Sequence, residues 1–324
     1  MDRFKSILVA AAPGHLEPLT LRAAVELADA NGARLTVSDV VMPLPGWRRT
    51  VNVEGRVIDV EAAMVREREE RLARMLQNTG DRVDVEVTVT VGEPFIEVIR
   101  KVVRDGHDLV MVGEPAVENP GVPQISSGVM HLLRKCPSPV WVMRPSANRK
   151  CRILALVDPD PGDPIRNGLN DLVMELATSL AMREQGELHI GHAWSMAGEA
   201  TLRSSSYVGL PGSMVDVMVH ETEIARRREL ETLTSRHTTE SDSSIHLVSG
   251  EPGDALPRLA DQLDIGLIVM GTVGRTGLRG LIMGNTAETI LRSVRCSVLA
   301  VKPEGFVTPV KKPKRSKKSG KGRS

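Results

Sequence analysis

Aromatic residues and long hydrophobic segments are what this sequence lacks most. Only seven of its 324 residues are Trp, Tyr or Phe, so it has little material for stacking nucleic-acid bases or for the aromatic belts of membrane proteins. No segment approaches the ~18 consecutive apolar residues that span a bilayer. We therefore predict a cytoplasmic protein whose folded body binds neither nucleic acid nor a membrane.

Cysteine is scarce as well, and no pattern of reactive side chains stands out. The three cysteines cannot all pair within one chain, and none has a metal-ligand spacing, so we expect neither a disulfide framework nor a metal site. No motif places a nucleophile beside a base, although a slow ATPase stays open. His189 and His192 are expected at surface or capping positions. The sequence predicts a protein without catalytic residues, and not an enzyme.

The net charge is close to zero but unevenly distributed. The 42 Lys and Arg residues outnumber the 41 Asp and Glu residues by one. Residues 305–324 hold eight of the basic residues and no acidic one, which leaves 34 basic and 41 acidic residues, a charge of −7, for residues 1–304. The pattern predicts an acidic folded body and a basic, disordered tail at 305–324.

An internal repeat organises the folded body. Three segments of the first half return in the second half at offsets of 146, 158 and 160 residues: 6–13 as 152–159, 91–94 as 249–252, and 131–136 as 291–296. The repeat predicts two domains of similar fold, at residues 1–148 and 149–304, joined near the polar segment 145–149.

Each half alternates short apolar segments with helical patterns. The predicted strands are residues 7–11, 34–41, 83–91, 109–112 and 140–143, then 153–157, 187–193, 244–248, 266–270 and 297–301. Continuous apolar strands separated by helices are typical of parallel sheets covered on both faces. We predict an α/β protein with two tandem, doubly wound, five-stranded parallel sheets, whose ligands lie at the carboxyl ends of the strands.

A glycine-rich segment follows the fourth predicted strand of the second half. Five glycines occur between Gly271 and Gly284, and Asn285 and Thr286 then open the last helix. Glycines let the backbone approach a ligand closely, and the free amides of a helix N-terminus attract phosphate. Arg275 adds positive charge. The spacing fits neither a dinucleotide fingerprint nor a P-loop, and the alternative is a flexible loop with ordinary helix caps.

These residues resemble a known family. Gly271-x-x-Gly274, followed after nine residues by Gly284-Asn285, resembles the nucleotide signature of the universal stress protein family, and it stands on the strand where that family carries it. Segments 131–141 and 271–288 are similar to the tandem, E-type members. The resemblance covers both halves, to about residue 304.

The resemblance implies an adenine-nucleotide site in the second half. Asp158, at the end of the first strand there, would accept hydrogen bonds from the adenosine, and Ala193 would pack beside the base. Gly274, Gly284, Asn285 and Thr286 would donate to the phosphates of ATP, which carry the Mg²⁺. The other expected site residues are Met270, Gly271 and Arg275. The implied function is a non-enzymatic regulator of the stress response that binds ATP or another adenine nucleotide.

The first half departs from this signature. Of the matched positions only Gly113 keeps its counterpart, Gly271, while Ala12 stands opposite Asp158 and Ala116 opposite Gly274. Segment 113–121 adds two acids and two prolines where an anion site needs bare amides and positive charge. We expect no triphosphate in the first half.

Several alternatives stay open. Asn285 stands where nucleotide-binding members have Ser or Thr, which favours a scaffolding protein that binds an apolar or lipid-like ligand, or none. Asp158, Asp160 and Asp163 suggest either a metal site or a turn punctuated by proline. Segment 195–213 is either a lid over the pocket or disordered. The basic tail suggests weak nucleic-acid binding through phosphates.

The oligomeric state is also open. Single domains of the family pair through their last strands. The two halves either satisfy that contact within one chain, like a dimer, or support a homodimer of tandem chains.

Overall fold

The computed structural model describes residues 3–11, 16–77, 83–114, 125–145, 151–204, 209–238, 243–273 and 283–311. The first half contains β1 (Ser6–Ala10), α1 (Pro18–Asn31), β2 (Arg34–Val41), β3 (Thr50–Val53), β4 (Arg56–Asp59), α2 (Val60–Leu76), β5 (Val85–Val91), α3 (Pro94–Asp105), β6 (Leu109–Gly113), α4 (Ser127–Lys135) and β7 (Val140–Met143). Helices α1 and α3 both begin at proline and end before a glycine in the left-handed region, Gly32 at φ 56° and Gly106 at φ 72°, as expected from helix-capping preferences.

The second half repeats this order. It contains β8 (Arg152–Leu156), α5 (Pro164–Glu184), β9 (Glu187–Trp194), α6 (Glu199–Ser204), α7 (Gly212–Thr234), β10 (Ser243–Ser249), α8 (Pro252–Gln262), β11 (Leu267–Gly271), α9 (Asn285–Ser293) and β12 (Ser297–Val301). All ten predicted strands are present, with ends that differ by at most two residues. The segment predicted as a lid or as disorder contains the short helix α6, and residues 205–208 of it lie outside the described residues.

The ten predicted strands form one continuous sheet. Its order is β10-β9-β8-β11-β12-β7-β6-β1-β2-β5. Neighbours within each half are parallel, whereas β7 and β12 pair antiparallel, with Leu299 opposite Trp141. The predicted α/β class with two five-stranded parallel units is confirmed, and of the two pairing schemes left open by the sequence the structure shows the one within the chain.

The sequence did not predict a hairpin in the first half. Strands β3 and β4 form a separate two-stranded hairpin, with Val51 opposite Ile58. Every residue of both strands is exposed. Short, exposed strands with mixed polarity give no clear periodicity, which explains why the sequence did not reveal them.

The hydrophobic core lies on both faces of the sheet and crosses the boundary between the halves. Alternate residues of each strand point to opposite faces. One face carries a cluster that includes Ile7, Met111 and Leu299, and the other carries a cluster that includes Leu8 and Val298. Because each cluster contains residues of both halves, the halves share their apolar core.

Two cations, a half-buried arginine and a buried lysine, cross the contact between β7 and β12. Arg144 and Lys302 directly follow these strands. The Lys302 Nζ donates to the Leu133 carbonyl at 2.5 Å, near the end of α4. The Arg144 guanidinium donates to the Val294 carbonyl, at the end of α9. Each half therefore supplies a positive charge to the C-terminal end of the other half's last helix, where the helix dipole is negative.

The chain continues from the second half onto the first. Val310 packs against the core cluster, and Arg100 of α3 donates from its Nε to the Lys311 carbonyl at 3.2 Å. Residues 312–324 of the predicted tail lie outside the described residues. The domain boundaries at 148 and 304 stay predictions.

The cysteines are unreactive by environment. Burial raises the pKa of the Cys136 thiol to about 12 and that of Cys296 to about 12. Thiolates, not thiols, are nucleophiles. Cys136 lies in a core cluster and Cys296 packs against the same cluster, so both serve packing. The structure places Val294, and not Cys296, at the position equivalent to Cys136, because Val294 and Cys136 directly follow the ends of α9 and α4.

Several histidines are buried, which makes the expectation of surface positions for His189 and His192 wrong. His189 is 9% exposed and contacts His246 of β10, with 3.1 Å between the ring nitrogens. His107 is also buried, and its Nδ1 lies 2.9 Å from the Ser6 hydroxyl. Burial lowers the pKa of His107, His189 and His246, because it disfavours the charged imidazolium.

Acid is therefore expected to destabilise the protein through these histidines. Their folded-state pKa lies below the ordinary ~6.5, so the folded protein binds fewer protons than the unfolded chain below that pH. The free energy of unfolding should fall between about pH 7.5 and pH 5.5, and His107→Gln should show a smaller fall. Urea denaturation at the two pH values measures this. An equal fall in both proteins would contradict the assignment to His107.

Candidate functional site

The candidate site lies where the strand order of the second half reverses. The chain passes from β8 outward to β9, whereas β11 pairs on the opposite side of β8. In open α/β sheets, this reversal opens a crevice at the carboxyl ends of the strands. Asp158 follows β8 there, and Gly271 ends β11. Two of the predicted residues thus lie at the ends of neighbouring strands.

The backbone at Asp158 is held by a buried asparagine. Its N–H donates to the Asn170 Oδ1 at 3.0 Å, and the Asn170 Nδ2 donates back to the Asp158 carbonyl at 3.0 Å. Asn170 lies on α5 and is 4% exposed. The side chain of Asp158 is 42% exposed. The loop is therefore fixed from below while its carboxylate is accessible from the crevice.

Arg166 joins the three acidic residues of this loop. Its guanidinium lies 2.7 Å from the Asp160 carboxylate, 3.6 Å from Asp158 and 3.5 Å from Asp163. Asp163 also accepts the backbone N–H of Arg166 and caps α5. An arginine supplies the counter-charge that a metal ion would provide. These contacts favour the turn and cap over the metal site.

Sequence reasoning missed His192 at this site. His192 of β9 is 4% exposed, its Nδ1 lies 3.0 Å from the Val157 carbonyl, and the same atom lies 3.9 Å from the Asp158 carboxylate. Burial lowers its pKa. The two residues are 34 positions apart and meet because β8 and β9 are neighbours, a proximity that local spacing cannot show. The position of Arg166 carries a weak signal in the sequence. It stands three residues after Asp163, the N-cap of α5, so its side chain is expected near the acidic loop.

Ala193 and Met270 lie in the core below the crevice. They are 7% and 4% exposed, and they belong to the same hydrophobic cluster as Ala287 and Ile290 of α9. Gly271 has a packing role, because a Cβ there would come 2.5 Å from the Leu169 side chain of α5. These residues shape the floor of the crevice.

The glycine-rich loop is closed at its base. Val273 and Met283 form an antiparallel bridge, and the Gly284 N–H donates to the Thr272 carbonyl at 3.0 Å. Gly274 and Arg275 lie outside the described residues. The bridge brings the end of β11 next to the start of α9. Both lie far from Asp158 in sequence, but β11 pairs with β8, the strand that precedes Asp158.

Helix α9 begins without a side-chain cap. Its N-cap residue is Gly284, which makes no side-chain capping bond, and Asn285 and Thr286 follow in exposed positions. The first amides of a helix have no partner within the helix and favour an anion. Of the predicted residues, the structure thus gathers Asp158, Gly271 and the start of α9 at one edge of the sheet.

This architecture defines an α/β protein with a crevice at the carboxyl edge of a parallel sheet and a helix N-terminus facing outward there. The chain belongs to the universal stress protein family, whose family model matches residues 3–144 and 166–302.

Individual proteins show the same relationship. The chain is 28% identical over 321 residues to universal stress protein E of Salmonella typhi, covering 96% of this chain and 98% of that protein, and 27% identical with the same coverage to universal stress protein E of Escherichia coli K12. A functionally unknown protein from Pseudomonas aeruginosa shares the fold, with a TM-score of 0.67, 24% identity and coverage of 93% and 94%. A universal stress protein from Archaeoglobus fulgidus gives a TM-score of 0.60 at 18% identity, with coverage of 91% and 98%. The predicted resemblance to a tandem universal stress protein is confirmed.

The described part of the chain was also compared with the requirements of a membrane span. None of its helices combines the length and apolar character needed to cross a bilayer.

Proposed function

We propose that this tandem universal stress protein acts as a regulator without catalysis, in the cytoplasm, by binding ATP or another adenine nucleotide in its second half. The observation that carries the proposal is that the uncapped start of α9 and the exposed carboxylate of Asp158 lie at the carboxyl ends of two paired strands, β11 and β8. The start of α9 favours phosphate, and the Asp158 carboxylate accepts hydrogen bonds. Both lie where the strand order reverses.

The residues fit a nucleotide in chemical terms. Asp158 offers carboxylate oxygens to the adenosine, and Ala193 lies in the adjacent strand β9. Gly284, Asn285 and Thr286 offer amides and polar side chains to phosphate, and Gly274 and Arg275 join them by sequence. A bound ATP would supply negative charge and carry its own Mg²⁺, so the protein needs no separate metal ligands.

Regulation would follow from linkage. A ligand that binds the ordered form of loop 271–286 stabilises that form and shifts the population toward it. The loop is attached at Thr272 to Lys302, whose ammonium contacts the Thr272 hydroxyl and the Leu133 carbonyl of the first half. A change in the loop therefore reaches the contact between the halves.

Calorimetric titration with ATP tests the proposal. Asp158→Ala and Gly274→Val are each expected to weaken binding by about tenfold or more, since one removes an acceptor and the other crowds the loop. Asp29→Ala, an exposed acid on α1, is the control and should bind like the wild type. The proposal fails if the wild type shows neither heat nor a thermal shift at millimolar ATP.

Ligand carried through purification separates the remaining alternatives. Native mass spectrometry would identify an adenine nucleotide if the proposal holds. An apolar or lipid-like occupant would instead support the scaffolding alternative that Asn285 favours.

The basic tail supports a second candidate function, weak binding of nucleic acid. It holds eight cations, and its first, Lys311, is fixed to α3 through Arg100. Phosphate contacts by lysine and arginine weaken steeply with salt. A chain that ends at Lys311 keeps Val310 in the core and should lose retention on DNA or RNA at low salt. Full retention by the shortened chain would remove this function.

A further inference from the structure

The residue that follows the fourth strand differs in charge between the two halves. Glu114 follows β6 and Thr272 follows β11. The Glu114 N–H donates to the Met143 carbonyl at 2.9 Å, and the Thr272 N–H donates to the Val301 carbonyl at 3.1 Å. Met143 ends β7 and Val301 ends β12. The two residues therefore occupy equivalent positions in the repeat.

Glu114 places its carboxylate at the start of α4. Its Oε1 accepts from the Ser126 N–H at 3.0 Å and from the Ser126 hydroxyl at 2.8 Å. Ser126 is the N-cap of α4, and Glu114 is only 5% exposed. A buried carboxylate with two donors at a helix N-terminus takes the place that a phosphate oxygen would take.

Thr272 leaves the equivalent place in the second half open. Its hydroxyl is turned to the buried ammonium of Lys302 and to the Val301 carbonyl, and its own carbonyl accepts from Gly284. The residue supplies no negative charge at the start of α9, whose N-cap Gly284 makes no side-chain capping bond. Only α4 therefore has a carboxylate bound at its N-cap, whereas the acid in the first turn of α9, Glu288, is paired with Arg134 and Arg292.

The surroundings of Glu114 are also balanced by the chain's own charges. A cavity of about 480 Å³ beside Glu114 and Ser126 is lined by Arg134 of α4 and Arg292 of α9. Both arginines donate to the same oxygen of Glu288, at 2.6 Å and 3.0 Å. The cavity beside Glu114 therefore combines a built-in anion with arginines, one from each half, that already have a partner.

We propose that this single position decides which half accepts phosphate: Glu114 fills the anion position of the first half, and Thr272 leaves that of the second half open. The inference rests on the proposed nucleotide site and names the residue that confines it to one half. One carboxylate, and not the loop sequences alone, then accounts for the difference in phosphate binding between two halves of similar fold.

The first experiment transfers the carboxylate to the second half. Thr272→Glu and Thr272→Gln introduce side chains of equal size. Glu114 shows that the equivalent position accommodates a glutamate near a half-buried cation, since Arg144 stands where Lys302 does in the second half. In ATP calorimetry, the glutamate is expected to weaken binding by about 30-fold or more relative to the glutamine, because like charges repel at close range.

The second experiment removes the carboxylate from the first half. Glu114→Gln is combined with Gly274→Val, which is expected to close the second site. The double variant and Gly274→Val alone are each melted with inorganic pyrophosphate at up to about 10 mM, a concentration at which a site of millimolar affinity raises the melting temperature measurably. The double variant should gain a thermal shift that Gly274→Val alone lacks. This arm does not depend on ATP binding or on the folding of the Thr272 variants.

The outcomes separate this inference from the proposed function. If the wild type does not bind ATP, the proposed function is wrong. The pyrophosphate experiment then tests the role of Glu114 by itself. Equal ATP affinity of folded Thr272→Glu and Thr272→Gln overturns the inference, and so does a double variant that shows no gain with pyrophosphate. Circular dichroism identifies variants that fail to fold.

Discussion

Leu299→Ala is expected to lower the free energy of unfolding by about 2–5 kcal/mol, which is the usual cost of emptying a fully buried leucine site. Leu299 is 0% exposed and stands in β12, opposite Trp141 of β7. It belongs to the core cluster that includes Ile7 of the first half and Val269 of the second. The cavity would therefore form at the contact between the halves.

The effect should reach both halves together. Urea denaturation is followed by fluorescence in two proteins that keep only Trp141 or only Trp194 of the three tryptophans, so that each reports on one half. Both midpoints are expected to move by the same amount. Leu19→Ala on α1 is the control, since Leu19 is 53% exposed and its removal should cost less than about 0.5 kcal/mol. Movement of the Trp194 transition alone would show that the halves unfold independently.

The second large effect concerns Lys302 and pH. Burial lowers the pKa of Lys302 to about 8 from an ordinary value near 10.5. Between these values the unfolded chain binds more protons than the folded one, so the contribution of Lys302 to stability rises with pH. From pH 7 to pH 9 the rise should be about 1 kcal/mol.

A difference measurement is needed because the buried thiols act in the opposite direction. Burial raises the pKa of Cys136 to about 12 and that of Cys296 to about 12, so unfolding is favoured as the pH passes their unfolded value near 9. The comparison is between wild type and Lys302→Met, which has a side chain of similar length without charge. The wild-type unfolding free energy minus that of the variant should grow by about 1 kcal/mol from pH 7 to pH 9. A constant difference would show that Lys302 titrates normally in the folded protein.

The strands were predictable because their signal is local. Segments such as 109–112 and 298–301 are continuously apolar, as is typical of strands buried on both faces. Helices α1 and α3 were predictable at their ends, where proline begins a helix and glycine ends it. The repeat then doubled the evidence for each element, which is why the fold class was correct for both halves.

The candidate site was predictable only in part. Gly271 and Gly284 carry a signal in their spacing, Asp158 was implied by the family resemblance, and the structure gathers all three at one edge of the sheet. His192 carries none, since its contact with Asp158 depends on the pairing of β8 with β9. The role of Glu114 was also hidden, because segment 113–121 showed excess acid but not which carboxylate reaches Ser126.

The sequence by itself determined the alternation of strands and helices, the doubling of the unit, the family resemblance, and the separation of an acidic body from a basic tail. Each of these follows from residues close together in the chain or from a comparison of its two halves. Only the tertiary structure decided that β7 and β12 join the halves into one sheet, that Arg144 and Lys302 cross this contact, and that Glu114 fills the first half's anion position. Some of these contacts join groups that lie far apart in the chain, and others depend on the direction in which a side chain points. Both are set by strand register and burial.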